Sequence, residues 1–187
     1  MPRSILSWVL LIGGAVLLAA SLGQYGFMMV RQHQLRRQWD EMNTPAGRKA
    51  HPAARGLRLI IPRIHLDDAV VRGTDYEDLL VAPGLLEGSP LPGGRGGNTV
   101  IAGHRDTFFR HVADLRRGDR IEVRTGGRQY DYQVTARQIV KPTQISVLAS
   151  TPQPRLTLVT CYPTYWIGPA PERLVVQAAL EQSSPYR

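Results

Sequence analysis

Cys161 is the only cysteine in this chain of 187 residues. A lone cysteine excludes an internal disulfide, a multi-cysteine zinc site and a CxxC redox pair. It leaves an inert buried thiol or a nucleophile, and by count alone the inert thiol is the commoner reading. The neighbourhood shifts that balance. Leu156-Thr157-Leu158-Val159-Thr160 has strand character, and Pro163 lacks the N–H needed to continue a ladder. Cys161 therefore sits at a strand end, in a position to be exposed. A thiol nucleophile needs a neighbouring cation to hold its thiolate, and its leaving group needs a proton. Of the five histidines, His104 has the matching setting: Thr99-Val100-Ile101-Ala102 reads as a strand, Gly103 lets the chain turn, and His104 follows. A solvated loop histidine has the same local pattern. Arg173 opens the strand after Cys161. If those two strands are antiparallel neighbours, Arg173 returns to the rim of Cys161, where a guanidinium fork can hold an oxyanion. Arg155 opens the earlier strand and falls at the opposite rim. For Arg173 the alternative is an ordinary surface strand cation.

These residues need a scaffold of strands. Leu57–Ile61, Ala69–Val71, Asn98–Ala102, Ile121–Arg124, Tyr130–Thr135, Leu156–Thr160 and Arg173–Ala178 all read as short strands. The pair at 121–124 and 130–135 flanks Gly126-Gly127, a hairpin signal. Many short strands point to a closed barrel or a sandwich. Helices beyond residue 56 are expected only over Thr74–Leu80 and Phe108–Leu115. The hydrophobic fraction, 43%, is ordinary and supports a real core.

The N-terminus is different in kind. Ile5–Leu22 carries no charge and the apolar run continues to Val30, enough to cross a bilayer core as a helix. Trp8 and Tyr25 stand near its ends, where interfacial aromatics belong. A cleaved leader with Ala19-Ala20-Ser21 near its cleavage site is the competing reading. The net charge is +8; residues 1–55 hold seven Arg/Lys against two acids, and the rest 16 against 13. Basicity beside an apolar helix suits anionic headgroups, and the folded part lacks the footprint of a nucleic-acid binder. The expected organisation is a transmembrane anchor over 1–30, a basic stalk and linker over 31–56, and a barrel over 57–187. Asn43-Thr44-Pro45 ends any helix. Arg31, Arg36 and Arg37 follow the span, so a literal positive-inside count would leave the barrel in the cytoplasm.

Thr157-Leu158-Val159-Thr160-Cys161 resembles the TLxTC signature of sortases. The longer stretch LTLVTCYPTYWIGPAPERLVVQA is similar to their class D branch, as is Ala102-Gly103-His104-Arg105-Asp106-Thr107-Phe108-Phe109 to that branch's histidine motif. The similarity extends from about Leu57 to Ala179. The resemblance implies an all-β, closed eight-stranded barrel with short helices behind one transmembrane helix, single-pass in the cytoplasmic membrane, its barrel on the extracytoplasmic side. It implies a catalytic set of His104, Cys161 and Arg173, with Thr160 and Tyr162 lining the substrate groove. It implies a cysteine transpeptidase that cleaves a Leu-Pro-x-Thr-Gly-like sorting motif in secreted proteins, forms a thioester, and passes the acyl group to a cell-wall amine or a pilin lysine. Thr164 departs from the branch, which has an aromatic residue there; Tyr165-Trp166 follow. No acidic cluster occupies Lys141–Arg155, so no calcium, other metal or cofactor is expected. A thiol protease that hydrolyses the same thioester, or a silent barrel that binds peptide or wall polymer, remain the alternatives.

Overall fold

The computed structural model describes residues 2–43, 56–94 and 97–186. One helix, α1, runs from Pro2 to Asn43. Eight strands follow: β1 Leu57–Ile61, β2 Leu66–Arg72, β3 Gly84–Leu85, β4 Asn98–Ala102, β5 Arg120–Thr125, β6 Arg128–Val140, β7 Arg155–Tyr162 and β8 Glu172–Pro185. They close into a barrel in the order β1-β2-β3-β4-β7-β8-β6-β5. The expected all-β barrel and its eight strands are both present. The sequence reading gave no strand at β3. Two residues without alternation carry no period-2 signal, and β3 exists only because β2 and β4 pair with it.

Local chemistry explains most of the elements. Thr125 pairs with Arg128 across Gly126 and Gly127, whose φ values are 58° and 74°. Two positive-φ residues make the tight turn whose twist suits a hairpin, and glycine adopts it without a Cβ penalty. A second helix, α2, spans Tyr76–Val81 and begins with a capping box formed by Asp75 and Asp78. The helix expected over Phe108–Leu115 is absent. The segment instead winds through turns into a 3-10 helix at Val112–Asp114. Residues three apart eclipse in that geometry. Phe109, Val112 and Leu115 therefore all turn inward, each at most 1% exposed. An α-helix would rotate them successively off one face. Inside the barrel they meet Leu59, Ile61, Ile101, Ile121, Leu158 and Leu174.

The helix α1 is continuous across the expected boundary between anchor and stalk, so that boundary is chemical and not a break. Linker residues 44–55 lie outside the described residues. The end of α1 docks on the barrel. Gln32 is buried at the contact, Arg36 pairs with Asp68 and Asp40 with Arg58. Burial pushes the Asp68 carboxyl up despite Arg36 beside it.

Asp131 on β6 ties three elements together. It accepts from Arg120 at 2.8 Å, Gln182 at 2.9 Å and Gln129 at 3.1 Å. Burial alone would raise its pKa, but these hydrogen bonds and the Arg120 charge hold the carboxyl below its ordinary range. A depressed carboxylate stabilises the fold above its unfolded pKa, and that contribution fades as pH falls through the lower folded value. Thermal unfolding against pH should show Tm falling below about pH 4. Asp131→Asn should flatten that acid limb and cost about 1–3 kcal/mol at neutral pH. An unchanged acid limb would remove Asp131 from this role.

Candidate active site

The strands β4 and β7 run parallel, and Ala102 lies level with Val159. Both therefore end at the same rim of the barrel. Extending that register by two residues sets His104 level with Cys161. The strand β8 runs antiparallel to β7 and starts at this rim, with Arg173 as the direct cross-strand partner of Cys161. Paired residues share a face of the sheet. Leu156, Leu158 and Leu174 point into the core, so Cys161 and Arg173 point outward together. Arg155 pairs with Ala179, away from this rim. The structure thus sets Cys161 beside Arg173 on the outer surface, at the same rim where His104 follows β4.

Each is held differently. Cys161 is a free, half-buried thiol. Arg173 donates from Nη1 to the carbonyls of Glu172 at 2.9 Å and Ala170 at 3.3 Å. Its remaining N–H groups make no hydrogen bond among the described residues, which leaves donors for an anionic oxygen. The His104 ring packs edge-on to Tyr76 with centroids 5.9 Å apart. Its Nε2 lies out of solvent with no hydrogen-bond partner among the described residues. Packing, not an acceptor, sets the ring.

Thr160 differs from its expectation. It is 3% exposed, and its hydroxyl donates to the Gly103 carbonyl at 2.8 Å. The alternation of a strand turns it inward when Cys161 faces out. It fastens the turn that carries His104 instead of lining a groove. A second bond, from the Gly103 amide to the Val159 carbonyl at 3.1 Å, does the same. Tyr162 stands at the rim, half-buried, with its ring against the core.

Two walls frame the thiol. On one side the 3-10 turn Ile145–Leu148 covers the lower part of the same outer face. Asn98 donates to the carbonyls of Val147 and Ala149, Gln177 donates to Val147, and Thr157 donates to Asn98 at 2.6 Å. On the other side is the β7–β8 loop, residues 163–171. Arg105 holds it, donating to the Gly168 carbonyl at 2.8 Å and reaching the Pro163 carbonyl at 3.5 Å. The strip between the walls holds Ala102, Val159 and Cys161, all half-buried. Nothing in the sequence marks Arg105, Asn98 or Gln177 for these tasks. Their partners are backbone carbonyls 30 to 63 residues away, and residue type alone carries no signal for such a contact. Such a thiol, imidazole and guanidinium can attack a carbonyl, move a proton and hold an oxyanion.

Two substitutions test this framing. A Cβ on Gly103 would come 2.6 Å from the ring of Phe109, which is fully buried. Gly103→Ala should cost about 1–3 kcal/mol in stability by overpacking. By displacing His104 it should also lower kcat by about ten- to a hundredfold. Wild-type kcat in that variant would refute the positioning role of the turn. Arg105→Ala should free the β7–β8 loop and raise KM for a peptide substrate by about fivefold, the equivalent of about 1 kcal/mol. An unchanged KM would show that the loop holds itself.

A sequence model of the Sortase domain matches residues 59–181. Sortase D of Bacillus subtilis is 33% identical over 119 residues, which are 63% of this chain and 60% of that protein. Sortase A of Listeria monocytogenes is 29% identical over 55% of this chain and 47% of its own length. The chain thus spans about half to 60% of these relatives. The Clostridium perfringens sortase D5 structure superposes with a TM-score of 0.72 at 22% identity, covering 82% of this chain and 99% of that one. Sortase C-1 of Actinomyces oris superposes with a TM-score of 0.62 at 31% identity, over 67% and 73% of the two chains. The matched span runs from within β1 to within β8 and includes His104, Cys161 and Arg173: the chain belongs to the sortase family.

Proposed function

We propose that the protein is a membrane-anchored cysteine transpeptidase. The observation that carries this reading is the pairing of Cys161 with Arg173 across β7 and β8, with His104 brought level by the parallel β4. The Cys161 thiolate attacks the scissile carbonyl of an extended peptide lying in the strip between the two walls. Arg173 stabilises the tetrahedral oxyanion through its free N–H groups. The His104 imidazolium gives its proton to the departing amine. A thioester to Cys161 remains. An incoming amine loses its proton to His104, attacks the thioester and releases the thiolate. Thr160 keeps the His104 turn on β7, and Tyr162 borders the strip.

The proposed substrates are secreted proteins with a C-terminal Leu-Pro-x-Thr-Gly-like motif, cut after the threonine. The acceptor is an amine of the cell wall or of a pilin. The described chain contains one helix long and apolar enough to cross a membrane, within Leu6–Gln38. We assign residues 1–30 as a single-pass anchor in the cytoplasmic membrane, 31–56 as the stalk and linker, and 57–187 as the catalytic barrel on the extracytoplasmic side. Family membership supports that side against the charge count. No metal or cofactor has a part in this chemistry.

Cleavage of a fluorogenic sorting-motif peptide tests the roles. Cys161→Ala should yield no product while keeping its Tm. His104→Ala should lose about 10²–10⁴ in kcat and Arg173→Ala about 10²–10³. Turnover by Cys161→Ala would end the proposal. With a glycine peptide added as acceptor, the amide adduct should appear; free acid alone would indicate a protease.

A further inference from the structure

The apolar helix passes beside the turn that carries His104, at the rim of the thiol. A cavity beside His104 is lined by Gln24, Tyr25 and Met28 of α1 together with Tyr76 and Thr107 of the barrel. The level of these α1 residues in a bilayer follows from length. About 20 helical residues cross a 30 Å hydrocarbon core. An uncharged run that starts at Ile5 uses up that thickness by about residue 24. Tyr25 and Met28 then stand in the headgroup layer, and Tyr25 has the amphipathic ring that favours it. His104 lies at the same level. The ion pairs Arg36–Asp68 and Asp40–Arg58 tie helix and barrel together two to four turns further on.

The same rim exposes apolar side chains. Ile167 is 97% exposed, Tyr165 83% and Trp166 47%. They form the tip of the β7–β8 loop. Arg105, the residue after His104, clamps that loop at Gly168. The tip therefore moves with the His104 turn and belongs to the membrane-level rim. Tyrosine, tryptophan and isoleucine side by side are the composition of an interfacial anchor.

We propose that this rim docks on the bilayer crossed by α1, with Tyr165, Trp166 and Ile167 inserted in its headgroup layer. The proposal rests on the anchor reading of α1. The open strip at Cys161 then borders the membrane surface, and the enzyme meets peptide bonds that lie within a few residues of the bilayer. Soluble segments held far above it reach the thiol poorly.

The full chain in vesicles of phosphatidylethanolamine and phosphatidylglycerol tests this with tryptophan as probe. Trp8→Phe with Trp39→Phe leaves Trp166 alone; Trp39→Phe with Trp166→Phe leaves Trp8 alone. Lipids carrying a spin label high on the acyl chain should quench Trp166 strongly, and aqueous iodide should quench it weakly. Tyr165→Ser with Ile167→Ser should reverse that order. Trp8 quenched by spin-labelled lipid while Trp166 responds only to iodide would overturn the docking and leave the anchor standing. Neither tryptophan quenched by lipid would overturn both.

Discussion

The parallel pairing of β4 with β7 is the constraint on which the site depends. Sequence separates His104 from Cys161 by more than fifty residues, and no hydrogen bond joins the two side chains among the described residues. Their meeting follows from direction: two parallel strands end at the same rim, so whatever follows each end arrives together. An antiparallel pair would send one of them to the far end of the barrel. The strand β8 completes the arrangement because it is antiparallel to β7 and therefore begins where β7 finishes. The buried Thr160 hydroxyl and the Gly103 amide extend the β4–β7 contact past the last ladder bond, to the residue before the histidine.

This geometry places the reactive groups on the outside of a well-filled barrel. The interior is occupied by Phe109, Ile121, Leu158 and other apolar side chains, so no substrate enters it. The proposed substrate then binds on the outer face of β4, β7 and β8. Two loops pegged by polar side chains frame that face, Arg105 on one side and Asn98 with Gln177 on the other. Donors satisfied by carbonyls fix loop position, and leaving the buried Asn98 amide unpaired would be expensive. Side-chain bonds to backbone carbonyls thus anchor both walls to the strands.

The sequence reveals what depends on local order and hides what depends on distant partners. The Gly126-Gly127 hairpin and the glycine before His104 are local, and the reading of them agrees with the fold, whereas the strands expected at 130–135 and 173–178 run on to Val140 and Pro185 through pairing with each other. Arg173 was reachable because one antiparallel connection suffices to return it to Cys161. Thr160 sits next to the thiol in sequence, yet strand alternation turns it to the opposite face, where it accepts a structural task. The segment 108–115 has the composition of a helix, but three inward residues at a spacing of three select a tighter winding. Arg105 and Gln177 hold carbonyls far along the chain, and nothing in their neighbours marks them. The docking of α1 through Arg36 and Asp68 is hidden for the same reason.

The central claim is that Cys161 forms a covalent acyl intermediate at this rim. Intact-mass analysis of the full chain, quenched in acid during turnover of a sorting-motif peptide, tests it most directly. The account predicts one added acyl group, mapped by digestion to Cys161 and released by neutral hydroxylamine as a thioester should be. Continued turnover with no adduct, or an adduct on any other residue, would contradict it.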